Sequence, residues 1–149
     1  MSFSKEGSAA MSKKKVDWII HIVGNGIFCE ECGDVERGFK ENLCNAHTHG
    51  MARYSHPDFQ MVLATAPHEI GRILNSFGLM VQNGYRFTDG EYITGIYEDC
   101  AVRVQKFWET DREVFRVIIP DRNNIFPEDP DCEEPYCYQL LKTSELEEE

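Results

Sequence analysis

The strongest pattern along the chain has helical period. Between positions 65 and 84 the apolar residues Ile70, Ile73, Leu74, Phe77, Met80 and Val81 recur at three- and four-residue spacing, which lays them on one stripe of an α-helix. Thr65 is the expected N-cap, Pro67 falls in the first turn and Glu69 sits near the positive end of the helix dipole. Asn83-Gly84 stops the run. A chain of this size has few other residues with which to cover a sheet, so the stripe is read as core.

On both sides of the helix the apolar runs are shorter and strand-like. Residues 46–51 and 59–64 read as two strands joined through the turn Ser55-His56-Pro57-Asp58, and they are expected to pair. After the turn dipeptide Asp89-Gly90, segments 91–97, 101–108 and 114–119 have strand composition. Residues 16–28, rich in Ile, Val, Trp and Phe, read as a strand or a short helix leading into a cysteine knuckle. Positions 120–124 force a turn, 126–135 are too rich in Pro and acid to be regular, and Leu140 and Leu141 tuck back onto the core. The predicted class is α+β: an antiparallel or mixed sheet with one main amphipathic helix and an N-terminal Cys-rich knuckle. The boundaries expected are a tail at 1–15, a single domain at 16–141 and a disordered acidic tail at 142–149.

Length and charge narrow the possible roles. The 149 residues, 42% of them hydrophobic, suffice for one ordinary core. The longest apolar candidate, 18–28, is broken by His21, Gly24, Asn25 and Gly26 and is too short to span a bilayer. A formal net charge of -11 repels nucleic-acid phosphates and anionic membranes. Acid is concentrated late: residues 121–149 hold ten Asp or Glu against Arg122 and Lys142. That stretch reads as a solvated tail, or else as a docking surface for a basic protein partner. Lys13, Lys14 and Lys15 are not followed by an apolar segment of secretory type, which predicts a cytoplasmic protein whose six cysteines stay reduced or hold metal.

The chemistry that stands out is a set of zinc-ligand residue types within a short stretch. Cys29 and Cys32, then Cys44 and His47 with His49 in reserve, follow a Cys-x2-Cys, eleven-residue, Cys-x2-His spacing close to that of two knuckles around tetrahedral zinc. Gly33 suits the tight turn of a knuckle. Glu30 and Glu31 oppose thiolate formation, which also argues against a redox role for the Cys-x2-Cys pair. Cys132 and Cys137 are an alternative pair to complete a site with Cys29 and Cys32. On a strand, His47 and His49 point to one face roughly 6.5 to 7 Å apart. His56-Pro57-Asp58 reads first as a rigid strand-entry turn. No Walker loop, nucleophile elbow or dinucleotide-binding glycine pattern is present.

The run His47-Thr48-His49-Gly50-Met51, the triplet His56-Pro57-Asp58, the helix ending in Asn83-Gly84, Pro120-Asp121 before Phe126-Pro127, and Gln139-Leu140-Leu141 resemble in order and spacing a bacterial family, domain of unknown function 4262. That family shows a Tyr-Thr-Val-Gly-Leu strand, His-Pro-Glu, a helix and a late Pro-Asp-x-x-Gly-x-Phe-Pro segment. The likeness covers about residues 45–141. The chain departs from the pattern at His47, His49, Asp58 and Asn124, and the Cys29–Cys32 knuckle lies outside it. The resemblance implies an α+β fold in an intracellular bacterial setting and supplies no catalytic residue. The expected role is therefore an intracellular interaction or binding module with a structural zinc at Cys29, Cys32, Cys44 and His47. The alternative is a small metal-dependent hydrolase built on His47, His49 and His56, whose open coordination position would activate water.

Overall fold

β-Branched and aromatic residues at alternating positions build the sheet, and the helical stripe covers one of its faces. The computed structural model describes residues 16–23, 42–109 and 112–146. Six strands run in the order β1-β2-β3-β6-β5-β4: β1 (Ile19–Val23), β2 (Leu43–His49), β3 (Asp58–Leu63), β4 (Glu91–Ile93), β5 (Val102–Glu109) and β6 (Arg112–Ile118). Every neighbouring pair is antiparallel except β3 with β6, which is parallel. The sheet is thus mixed, and the parallel central pair requires a long crossover. The chain between β3 and β6 supplies it with the main helix α1 (Pro67–Gln82) and the hairpin partners β4 and β5.

The helix buries Ile70, Ile73, Leu74, Phe77, Gly78 and Val81, the expected stripe with Gly78 added and with Met80 only partly buried. Its partners are the alternate residues of the central strands. Phe59 of β3 meets Phe77 with ring centroids 5.3 Å apart, and the two phenyl rings form one aromatic cluster with Phe87. Such packed rings contribute beyond their buried area. Thr65 does not cap the helix. Ala66 occupies the N-cap without a side-chain hydrogen bond, and Pro67, which has no N–H to satisfy, begins the first turn. At the other end the Asn83 amide donates to Leu79 O at 2.7 Å, and Gly84 follows at φ 101°.

Two strand ends differ from the sequence pattern. Met51 leaves β2 for a 3₁₀ turn, Met51–Tyr54, because the Asp58 carboxylate accepts from Met51 N at 3.1 Å and from Thr48 Oγ1 at 2.9 Å, tying the turn to the start of β3. β4 stops at Ile93, two residues before Gly95 at φ 97°. β1 begins at Ile19, three residues into the 16–28 pattern, whose later part lies outside the described residues; β2 begins three residues earlier than its pattern, at Leu43; the remaining boundaries lie within two residues.

The second face of the sheet carries a set of buried polar side chains. Strand alternation places Asn45, His47, Gln60 and Arg116 there. The C-terminal segment closes over part of it: the Arg116 guanidinium donates to Gln139 O at 2.9 Å and to Leu141 O. The disordered tail expected from position 142 does not begin there. Thr143–Leu146 forms the short helix α2, and Leu146 is fully buried in the core cluster. The Thr143 hydroxyl donates to Glu109 at 2.6 Å, so an acidic composition concealed one apolar anchor and one polar one. Among the described residues no helix is long and apolar enough to cross a membrane.

Candidate metal centre

Three imidazoles converge where β1 lies along β2. His21 and His47 are direct cross-strand partners in the antiparallel register, and such partners have Cβ atoms about 4.5–5.5 Å apart. His49, two residues beyond His47, projects to the same face. The ring centroids lie 5.8 Å apart for His21 and His47, 4.6 Å for His21 and His49, and 4.7 Å for His47 and His49. One ligand nitrogen from each ring falls within 4.8 Å of the other two. Zinc bound at about 2.0–2.1 Å needs nitrogens roughly 3.4 Å apart in a tetrahedron. Ligation would therefore draw the nitrogens together from a spread of up to 4.8 Å.

The electrical setting favours ligation. His47 is fully buried, and its pKa is lowered to about 3 by desolvation first, then by His49, Arg112 and His21, with the Asn45 backbone opposing. A neutral imidazole keeps the lone pair that a metal requires. Among the described residues no carboxylate belongs to the cluster, and an all-imidazole donor set suits Zn, Cu, Ni or Fe over Mg or Ca. The acidic chain supplies a favourable background for a cation.

Of the four sequence-derived ligands, the described residues include Cys44 and His47. Cys29 and Cys32 lie outside the described residues. Cys44 and His47 share β2 but do not share a face: Cys44 belongs to the apolar core with Ala46, whereas His47 meets the other two rings. Burial pushes the Cys44 thiol up to about 12, which disfavours the thiolate that zinc binds. Cys132 is buried below the loop after β6, where its thiol donates to Ile125 O at 3.4 Å and is raised to about 11 by burial, then by Asp121.

His56 stands apart from the histidines of the expected hydrolase site. Its ring is stacked on Phe59 at 5.3 Å and on Phe115 at 5.2 Å, on the helix side of the sheet. Its Nε2 accepts from the Phe87 amide at 3.4 Å, which leaves Nδ1 to donate to Pro57 O at 2.8 Å. Those two bonds use both ring nitrogens, so His56 is a core histidine of the strand-entry turn. A metal set of His47, His49 and His56 does not form.

His21 is the member of the histidine cluster that sequence reasoning missed. Its only signal was a histidine inside the β-branched run Ile19-Ile20-His21-Ile22-Val23. Its position opposite His47 depends on the pairing of two strands separated by nineteen residues, and nothing local encodes that register.

A cavity of about 470 Å³ lies at the other end of β2 and β3, lined by Asn42, Thr65, Tyr97, Cys100, Arg122 and Tyr136 among others, with no histidine. The late acidic stretch is partly neutralised within the fold: Glu128 pairs with Arg103 at 2.8 Å and Glu133 with Arg122 at 3.1 Å. Comparison with known proteins gives no match to this chain, whether among family models, curated proteins or solved structures.

Proposed function

We propose that this protein is a small metal-binding module that holds one divalent late transition ion, zinc in the cell, through His21, His47 and His49. The observation that supports this is the convergence of three ligand nitrogens within 4.8 Å of one another on paired strands. Three protein ligands leave one tetrahedral position for water or a further donor. In the water-bound form such a site is available to bind a small anionic ligand. Because β1 is an edge strand among the described residues, metal shared between β1 and β2 clamps that edge of the sheet, a stabilising role in keeping with a binding module.

The test is elemental analysis of purified, reduced, zinc-loaded and dialysed protein. About one zinc per chain is expected, lost in His47→Ala and in His21→Ala. Absence of zinc from folded protein overturns the reading. Zinc retained in both histidine variants but lost in Cys29→Ser would move the metal to the cysteines and equally overturn the histidine site.

A further inference from the structure

Four buried side chains on the second face of the sheet form one directed hydrogen-bond chain ending at His47. Arg116, Asn45, Gln60 and His47 are each at most 6% exposed. Arg116 Nε donates to Gln60 Oε1 at 2.9 Å, Gln60 Nε2 donates to Asn45 Oδ1 at 3.0 Å, and the same Asn45 oxygen lies 3.1 Å from His47 Nδ1. The direction of the chain follows from its first member. A guanidinium has donors and no acceptor, so the oxygen of Gln60 must face it and the amide nitrogen must face away. Asn45 then has to present its oxygen to Gln60, and that oxygen can only accept from His47.

The guanidinium is itself held fast. Its other nitrogens donate to Glu109 Oε1 at 3.0 Å, to Gln139 O at 2.9 Å and to Leu141 O, and it lies 4.0 Å over the Phe107 ring. Its hydrogen-bonded surroundings come from β3, β5 and the C-terminal segment, so the Arg116 end of the relay is not free to reverse.

We propose that the buried relay Arg116–Gln60–Asn45 fixes His47 in the Nδ1-protonated tautomer and so makes Nε2 its metal-ligating atom. The tautomer assignment stands on the hydrogen bonds alone, and its consequence for ligation rests on the metal-binding reading above. Arg116, Gln60 and Asn45 are positioning residues, and metal-bound histidines ordinarily have their second nitrogen held in this manner. The relay also connects the C-terminal segment to the metal centre without any ligand coming from it.

The experiment is long-range 1H–15N correlation on metal-free protein with 15N-labelled histidine, His47 being assigned by its loss in His47→Gln, combined with competition titration of zinc. The wild-type spectrum should show a protonated Nδ1 and an unprotonated Nε2. In Gln60→Glu the new carboxylate accepts from Arg116 and from the Asn45 amide, which turns Asn45 over, moves the His47 proton to Nε2 and weakens zinc by roughly 10–100-fold. Asn45→Asp keeps an acceptor at both contacts and should retain the Nδ1 proton and at least wild-type affinity. A proton on Nε2 in the wild-type protein overturns the relay, even with zinc bound. An unchanged tautomer in folded Gln60→Glu does the same. A protonated Nδ1 without zinc uptake supports the relay and overturns the metal reading instead, and the wild-type spectrum decides the tautomer even if a variant fails to fold.

Discussion

The indole of Trp18 lies across Gly78 of α1, so close that a Cβ at position 78 would stand 2.6 Å from Trp18 Cε2. The indole N–H donates to Asn75 Oδ1 at 2.9 Å, and Trp18 is 5% exposed. This contact fastens the start of β1 to the helix, and β1 carries His21. Gly50 also packs against this residue: at φ 131° it has a conformation L side chains rarely adopt, and its Cβ would lie 2.9 Å from Trp18 Cβ. Gly78→Ala should displace the indole and destabilise the fold by about 1–3 kcal/mol. The check is chemical denaturation with tryptophan fluorescence, where a red-shifted native spectrum is expected alongside the lower midpoint.

Zinc should raise thermal stability with the logarithm of its free concentration above the dissociation constant. At a free zinc concentration of about 100 times the dissociation constant, the native state gains roughly 2.7 kcal/mol. A melting series with and without chelator should show the shift in wild type and not in His49→Ala. An equal shift in both would mean the ion binds elsewhere.

Glu109→Ala should be among the most damaging single changes. Arg116 is fully buried and pairs with Glu109 at 3.0 Å. Desolvation lowers the guanidinium pKa to about 10 while Glu109 opposes that shift, so removing the carboxylate leaves a buried charge uncompensated. A loss of about 3–5 kcal/mol is expected by equilibrium unfolding. Glu109→Gln, which keeps an oxygen to accept from Arg116, should lose less.

Truncation after Lys142 should destabilise the protein. It removes Leu146, fully buried, and the Thr143 hydroxyl that donates to Glu109. Leu146→Ala alone should cost about 2–5 kcal/mol. A truncated chain melting at the wild-type temperature would show that α2 contributes nothing.

Acid should weaken the fold through His56. Its pKa is lowered, chiefly by burial, with Arg86 and Lys106 acting in the same direction and the Pro57 carbonyl and Asp58 opposing. Above the ordinary histidine value of about 6.5 the ring is neutral folded or unfolded, and its full contribution is present. As pH falls below that value the unfolded chain takes up a proton that the folded ring does not, so stability declines until the folded pKa is passed. The unfolding free energy of wild type between pH 7 and 5 should fall more steeply than that of His56→Phe, whose ring can occupy the same aromatic stack. Parallel slopes would remove His56 as the cause.

The sequence alone determined the parts whose information is local. The helix was readable from Ile70 to Val81 because 3.6-residue periodicity is carried within a few turns, and the strands followed from alternation bounded by Gly, Pro and Asp. The common face of His47 and His49 was equally readable, because alternation within one strand requires no partner. Tertiary structure decided everything that depends on pairing. The β1–β2 register brought His21 opposite His47, and the same alternation that aligned His47 with His49 turned Cys44 into the apolar core. The crossover placing β6 beside β3 set Arg116 against Gln60, and the fold of the C-terminal segment gave one leucine of an acidic tail a buried place. Spacing along a chain measures contour length, while ligation and burial depend on which strands become neighbours. That choice is made by the free energy of the whole core.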